Sequence, residues 1–67
     1  MEELINKGIK KAYLYFLNRG YSEYGYYQYN GGNIAEFYKA AAGVTVESIR
    51  VHFNQSNRVV SIETIRP

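Results

Sequence analysis

Tyr26-Tyr27-Gln28-Tyr29-Asn30-Gly31-Gly32-Asn33-Ile34-Ala35-Glu36-Phe37 is the stretch whose reading decides the fold. It runs from a tyrosine-rich segment through a glycine pair into a mixed apolar and polar segment. Five of the chain's 8 tyrosines lie between Tyr21 and Tyr29. A tyrosine ring combines a large apolar surface with a polar tip, which suits contact surfaces as well as cores. Gly31 and Gly32 can take positive φ and end a strand sharply. After them, Asn33 is placed to cap a helix, with Glu36 three residues on in capping-box position. Ile34, Phe37, Tyr38 and Ala41 would then form one helical stripe, closed by Gly43. The stretch therefore predicts a strand, a tight turn and a central helix of about ten residues, Asn33–Ala42.

Upstream, Tyr21–Tyr29 reads as a strand with rings on both faces. Tyr21, Glu23, Gly25, Tyr27 and Tyr29 fall on one side, and Ser22, Tyr24, Tyr26 and Gln28 on the other. Gly25 is a candidate bulge. Further upstream, Leu4, Ile5, Ile9, Ala12, Tyr13, Phe16 and Leu17 fall at helical spacing between polar residues. The run Tyr13-Leu14-Tyr15-Phe16-Leu17 also suits a strand. Asn18-Arg19-Gly20 serves either a helix cap or a hairpin turn.

Downstream, Val44–Phe53 alternates Ile49, Val51 and Phe53 against Ser48, Arg50 and His52. Asn54-Gln55-Ser56-Asn57 is a turn cluster and Arg58–Ile65 returns, so a β-hairpin is expected. The competing reading takes Ala41–Ile49 as the turn and recognition-helix start of a small helix-turn-helix DNA-binding regulator. Val44, Thr45, Val46, Ile49 and Val51 are poor choices for such a helix, and Lys39 stands where helix packing wants a small residue.

Sixty-seven residues form a single domain, 1–67, with a small core that has little reserve without a partner. There is no cysteine and one histidine, so no disulfide, thiolate site or metal cluster is expected, and no cofactor. No apolar run approaches membrane-spanning length and no signal peptide is recognised. The formal net charge is +2, with Lys7, Lys10 and Lys11 near the start and Arg50, Arg58 and Arg66 toward the end. Between residues 20 and 49 Glu23, Glu36 and Glu47 face Lys39 alone, which disfavours direct nucleic-acid binding there. No nucleophile or acid–base pair stands out, so an enzyme is not expected. His52 reads as a solvent-side strand residue.

Tyr26-Tyr27-Gln28-Tyr29, a glycine at 31 or 32, Glu36-Phe37, Gly43 and the strand Glu47–Val51 together resemble the small uracil-DNA glycosylase inhibitors of Bacillus phages. The resemblance covers Tyr26–Phe53 with single-residue gaps. It implies a hairpin, a helix and a further strand, assembled as a homodimer through the sheet. It implies a cytoplasmic inhibitor in a phage-infected cell that covers the DNA-binding cleft of the host uracil-DNA glycosylase by mimicking DNA. Phe37 matches the phenylalanine that, paired across the dimer, brackets an apolar finger of the enzyme. The partner-contact residues are then Phe37, Glu36, Tyr38, Tyr27, Gln28, Tyr29 and Glu23. The resemblance also favours Lys11–Leu17 as a strand paired with Tyr21–Tyr29. Gln28 stands where the family has a glutamate, Tyr38 where it has an acid, and the slightly basic chain departs from a DNA mimic. The fold expected is α+β: an antiparallel sheet of three or four strands with one central helix, dimeric. A phage inhibitor of another host protein is the remaining alternative.

Overall fold

The computed structural model describes residues 1–66. A one-turn 3-10 helix, Glu2–Leu4, precedes helix α1 (Ile9–Asn18). Four strands follow: β1 (Ser22–Tyr29), β2 (Gly32–Ala41), β3 (Val44–Phe53) and β4 (Val59–Ile65). They pair antiparallel in chain order β1-β2-β3-β4, and α1 packs on one face of the sheet. The α+β class, with one helix and a four-stranded antiparallel sheet, is as the sequence led us to expect. The helix, however, stands at the N-terminal side rather than the centre.

Lys11–Leu17 is helical, which corrects the strand that the resemblance favoured. Ile9, Ala12, Tyr13 and Phe16 recur at i, i+3, i+4 and i+7 and all meet the core, while Leu14 and Leu17 face outward. The helix ends in a Schellman cap. Gly20, at φ 86, lets its amide reach the Leu17 carbonyl and the Tyr21 amide reach that of Phe16. The rings of Tyr21 and Phe16 then meet edge to face, 5.3 Å apart, as the hydrophobic part of that motif.

Asn33–Ala42 is not a helix but most of β2, so Asn33 caps nothing. Asn30 and Gly31 both have positive φ, 52 and 77, and close a two-residue hairpin between Tyr29 and Gly32. That turn matches the right-handed twist of two paired strands and commits the next residues to pairing. The apolar positions that form a stripe in a helix do not share one face in the strand. Ala35 and Phe37 point beneath α1, whereas Ile34 and Tyr38 point away from it. Ala42 and Gly43 repeat the device, with φ of 53 and 78 between Ala41 and Val44.

Strand β3 pairs with β4 as expected, Ser48↔Ile65 through His52↔Ser61, so no recognition helix occupies Thr45–Phe53. The connecting loop is pinned by Asn54, whose Oδ1 accepts from the amides of Ser56 and Arg58.

The core lies between α1 and the sheet. Phe16, Ala35, Phe37, Ile49, Val51 and Val59 are buried, with Ile9, Tyr13, Tyr15, Tyr21 and Ile62 packed around them. The N-terminal segment crosses beside β4: the Asn6 amide donates to the Val59 carbonyl, the Val59 amide to that of Lys7, and Gly8 bridges to Arg58. The β4 edge is thus partly occupied, and β1 is the longer free edge.

Candidate functional site

One face of the sheet carries no helix. Its rows follow from the register: Tyr27, Ile34, His52 and Ser61 stand side by side, as do Gly25, Glu36, Arg50 and Glu63, and Ser22, Tyr38, Ser48 and Ile65. A bulge at Glu23/Gly25 brings Tyr24 onto this face as well, since the Tyr24 ring meets that of Tyr38 edge to face at 6.3 Å. The bulge therefore corrects the alternation expected of β1. Tyr24, Tyr27 and Tyr29 share the helix-free face, and Glu23, Tyr26 and Gln28 lie on the helix side. Tyr26 packs near Phe53 there, and the charge of Glu23 acts on the nearby Tyr13.

The seven residues expected to contact a partner are thus divided. Tyr27, Tyr29, Glu36 and Tyr38 are brought together on the open face. Glu23 and Gln28 are exposed on the opposite side. Phe37 has no exposed surface: it is stacked on Phe16 and met edge-on by Tyr13. It stands in the middle of a strand rather than on the first turn of a helix, so it cannot project toward a partner while the core is intact.

Residues missed from sequence complete the site. Ile34 is 3 % exposed on the open face, outside the main core, at the floor of a groove of about 400 Å³. Tyr27, Tyr29, Arg50, His52 and Glu63 line the same groove. Ionic contacts tie the strands together across it. The Tyr27 hydroxyl donates to Glu36 Oε1 at 3.0 Å, Arg50 Nε stands 3.6 Å from the same oxygen, and His52 Nε2 meets Glu63 Oε1 at 3.2 Å. Burial first, and the carboxylate of Glu36 second, push the Tyr27 hydroxyl above the usual tyrosine range. The outward positions of Arg50 and His52 were legible in the β3 alternation. Their convergence with Glu36 and Glu63 depends on strand register, which no single strand encodes.

Among the described residues, no group of three or more His, Asp or Glu side chains could hold a metal ion. No helix among them is long and apolar enough to cross a membrane. The chemistry on the open face is that of contact: exposed rings, charged groups paired to one another and a shallow apolar floor. No family of known proteins, no curated protein and no solved structure matches this chain.

Proposed function

We propose that this protein is a non-catalytic binding module that grips a protein partner with the helix-free face of its sheet and acts as a homodimer. The observation that carries this reading is the gathering of Tyr24, Tyr27, Tyr29 and Tyr38 on one uncovered face. Tyr24 and Tyr29 are 70 % and 62 % exposed, a large apolar area that none of the described residues covers. Such rings lose little side-chain freedom on binding and are frequent anchors in protein contacts. The ionisable groups among them favour protein over nucleic acid: the guanidinium of Arg50 is matched by Glu36, and Glu63 adds a further carboxylate. A phosphate backbone has little to attract it there.

The dimer is supported by the unequal edges. β1 presents unpaired backbone groups beside four exposed tyrosines, whereas β4 is partly occupied by the chain's own start. Two copies of β1 running antiparallel about a two-fold axis are self-complementary, and each copy then has no second long edge to offer.

Host uracil-DNA glycosylase is the partner that the resemblance over Tyr26–Phe53 implies, and it is the first to assay. With Phe37 in the core, the exposed tyrosines replace a paired-phenylalanine contact as the anchors of this reading. The experiment is uracil release from single-stranded DNA by a bacterial glycosylase, with wild type and a Tyr24→Ala/Tyr29→Ala variant added at known ratios. Stoichiometric inhibition, weakened at least ~30-fold in the variant, is the expected result. No inhibition at tenfold excess of wild type removes the glycosylase as target. Full inhibition by the folded variant moves the contact off this face.

A further inference from the structure

We infer that the groove at the centre of the open face is a receptor for one basic side chain, a lysine or arginine, of the protein partner. The inference rests on the reading that this face is the binding surface, and it specifies the chemistry the face selects. Its floor is Ile34, small and apolar, and one wall is formed by Tyr27 and Tyr29 on β1. The opposite wall is formed by His52 and Glu63 on β3 and β4. An alkyl stem laid over Ile34 would bring its charged head between the phenol rings of Tyr27 and Tyr29 and the carboxylate of Glu63. Aromatic faces attract cations, guanidinium most readily, and a nearby carboxylate adds a directed hydrogen bond.

The charges decide the sign of the ligand. Within the groove and its margin stand Glu36 and Glu63 against Arg50, with His52 counted neutral. Glu36 Oε1 is already shared by the Tyr27 hydroxyl and Arg50 Nε. Arg50 Nε is enclosed beside that carboxylate, which offsets the charge of its guanidinium. Glu63 is held through Oε1 by His52, and its other oxygen accepts no hydrogen bond among the described residues. Glu63 is also the carboxylate that lines the groove itself, on the wall opposite Tyr27 and Tyr29. A buried ion pair would be costly to build here, but the groove is open to water and the cation keeps part of its hydration.

The test uses isolated side-chain probes and the intact protein. N-acetyl-arginine methylamide, its glutamate counterpart and tetramethylammonium chloride are titrated separately while backbone and aromatic NMR shifts are followed. Saturable shifts at Tyr27, Tyr29, Ile34 and Glu63 are expected with the arginine probe, with a dissociation constant on the order of 1–10 mM. Tetramethylammonium should move the tyrosine rings alone, and the glutamate probe should move none of these residues. Glu63→Gln and Tyr29→Ala should each weaken the arginine probe at least ~5-fold, while Glu23→Gln, on the opposite face, leaves it unchanged. Equal response to both charged probes, no saturable shift, or binding indifferent to Glu63→Gln overturns the inference. Glycosylase inhibition that depends on Tyr24 and Tyr29 while the arginine probe fails would retain the binding face and discard the basic anchor.

Discussion

The rings of Phe16 and Phe37 stack with centroids 5.2 Å apart and 29° between their planes, joining the last turns of α1 to the middle of β2. Both side chains are fully buried, and Tyr13 closes on Phe37 from a third direction at 5.0 Å. Phe37→Ala should cost ~3–5 kcal/mol. A domain of this size holds about that much in total. The variant is therefore expected to be largely unfolded by near-ultraviolet circular dichroism, while Phe37→Leu keeps a cooperative transition. A folded, native-like Phe37→Ala protein would show that this pair is not central.

Tyr24→Ala and Tyr29→Ala should behave in the opposite way. Both rings are mostly exposed, so each change should shift stability by no more than about 0.5 kcal/mol in urea titration. Partner affinity should fall in both. Stability losses comparable to that of Phe37→Ala would mean that these rings serve the fold and not the contact.

Alkaline pH should weaken the fold through Tyr21. Its hydroxyl donates to the carboxylate of Glu47, and that bond, with burial second, pushes its pKa up to about 12. An unfolded tyrosine ionises near pH ~10. The folded chain therefore holds this proton more tightly than the unfolded one. The contribution is complete below pH ~10 and is lost as pH rises through about 12. Tyr21→Phe should flatten the stability curve in that window, with a residual slope from Tyr13 and Tyr27, whose hydroxyls are also raised. An unchanged slope would remove the Tyr21–Glu47 bond from the account.

Ala42 sits in the left-handed region at φ 53, at the first position of the β2–β3 turn, where a Cβ costs ~1 kcal/mol. Asparagine is preferred there, as the other turn already shows at Asn30. Ala42→Asn is expected to raise stability by ~0.5–1 kcal/mol, seen as a higher urea midpoint at constant slope. A lower midpoint would mean that the turn is not held as described.

Elements governed by one period were legible in the sequence. The 3.6 spacing of Ile9, Ala12, Tyr13 and Phe16 gives α1, and the alternation of Ile49, Val51 and Phe53 gives β3 with its returning partner. The segment from Asn33 to Ala42 satisfied two periods at once, with a helical stripe at Ile34, Phe37, Tyr38 and Ala41 and an alternation of Ala35 and Phe37 with Ile34, Glu36 and Tyr38. Asn30-Gly31 resolves it, because this dipeptide favours a two-residue hairpin over the loop that precedes a helix. The resemblance pulled in the other direction at Lys11–Leu17, where the periodicity had already pointed to a helix. Of the open face, Tyr27, Tyr29, Glu36 and Tyr38 were foreseeable as contact residues. Tyr24 was not, since a bulge at Gly25 changes which side it faces, and the meeting of Arg50 and His52 with Glu63 needs the β3–β4 register.

The order of strands in the sheet is also their order in the chain, so each strand pairs only with its sequence neighbours. Three short hairpin closures cost little loop entropy, and such a chain should collapse quickly for a β-rich protein. The exception is the tie between Asn6–Gly8 and Arg58–Val59, which spans nearly the whole chain. It can form only after β4 has docked, so it should be the last contact made and the first released. Hydrogen exchange at Asn6 and Val59 faster than across β2 and β3 would reveal that order, and uniform protection would refute it.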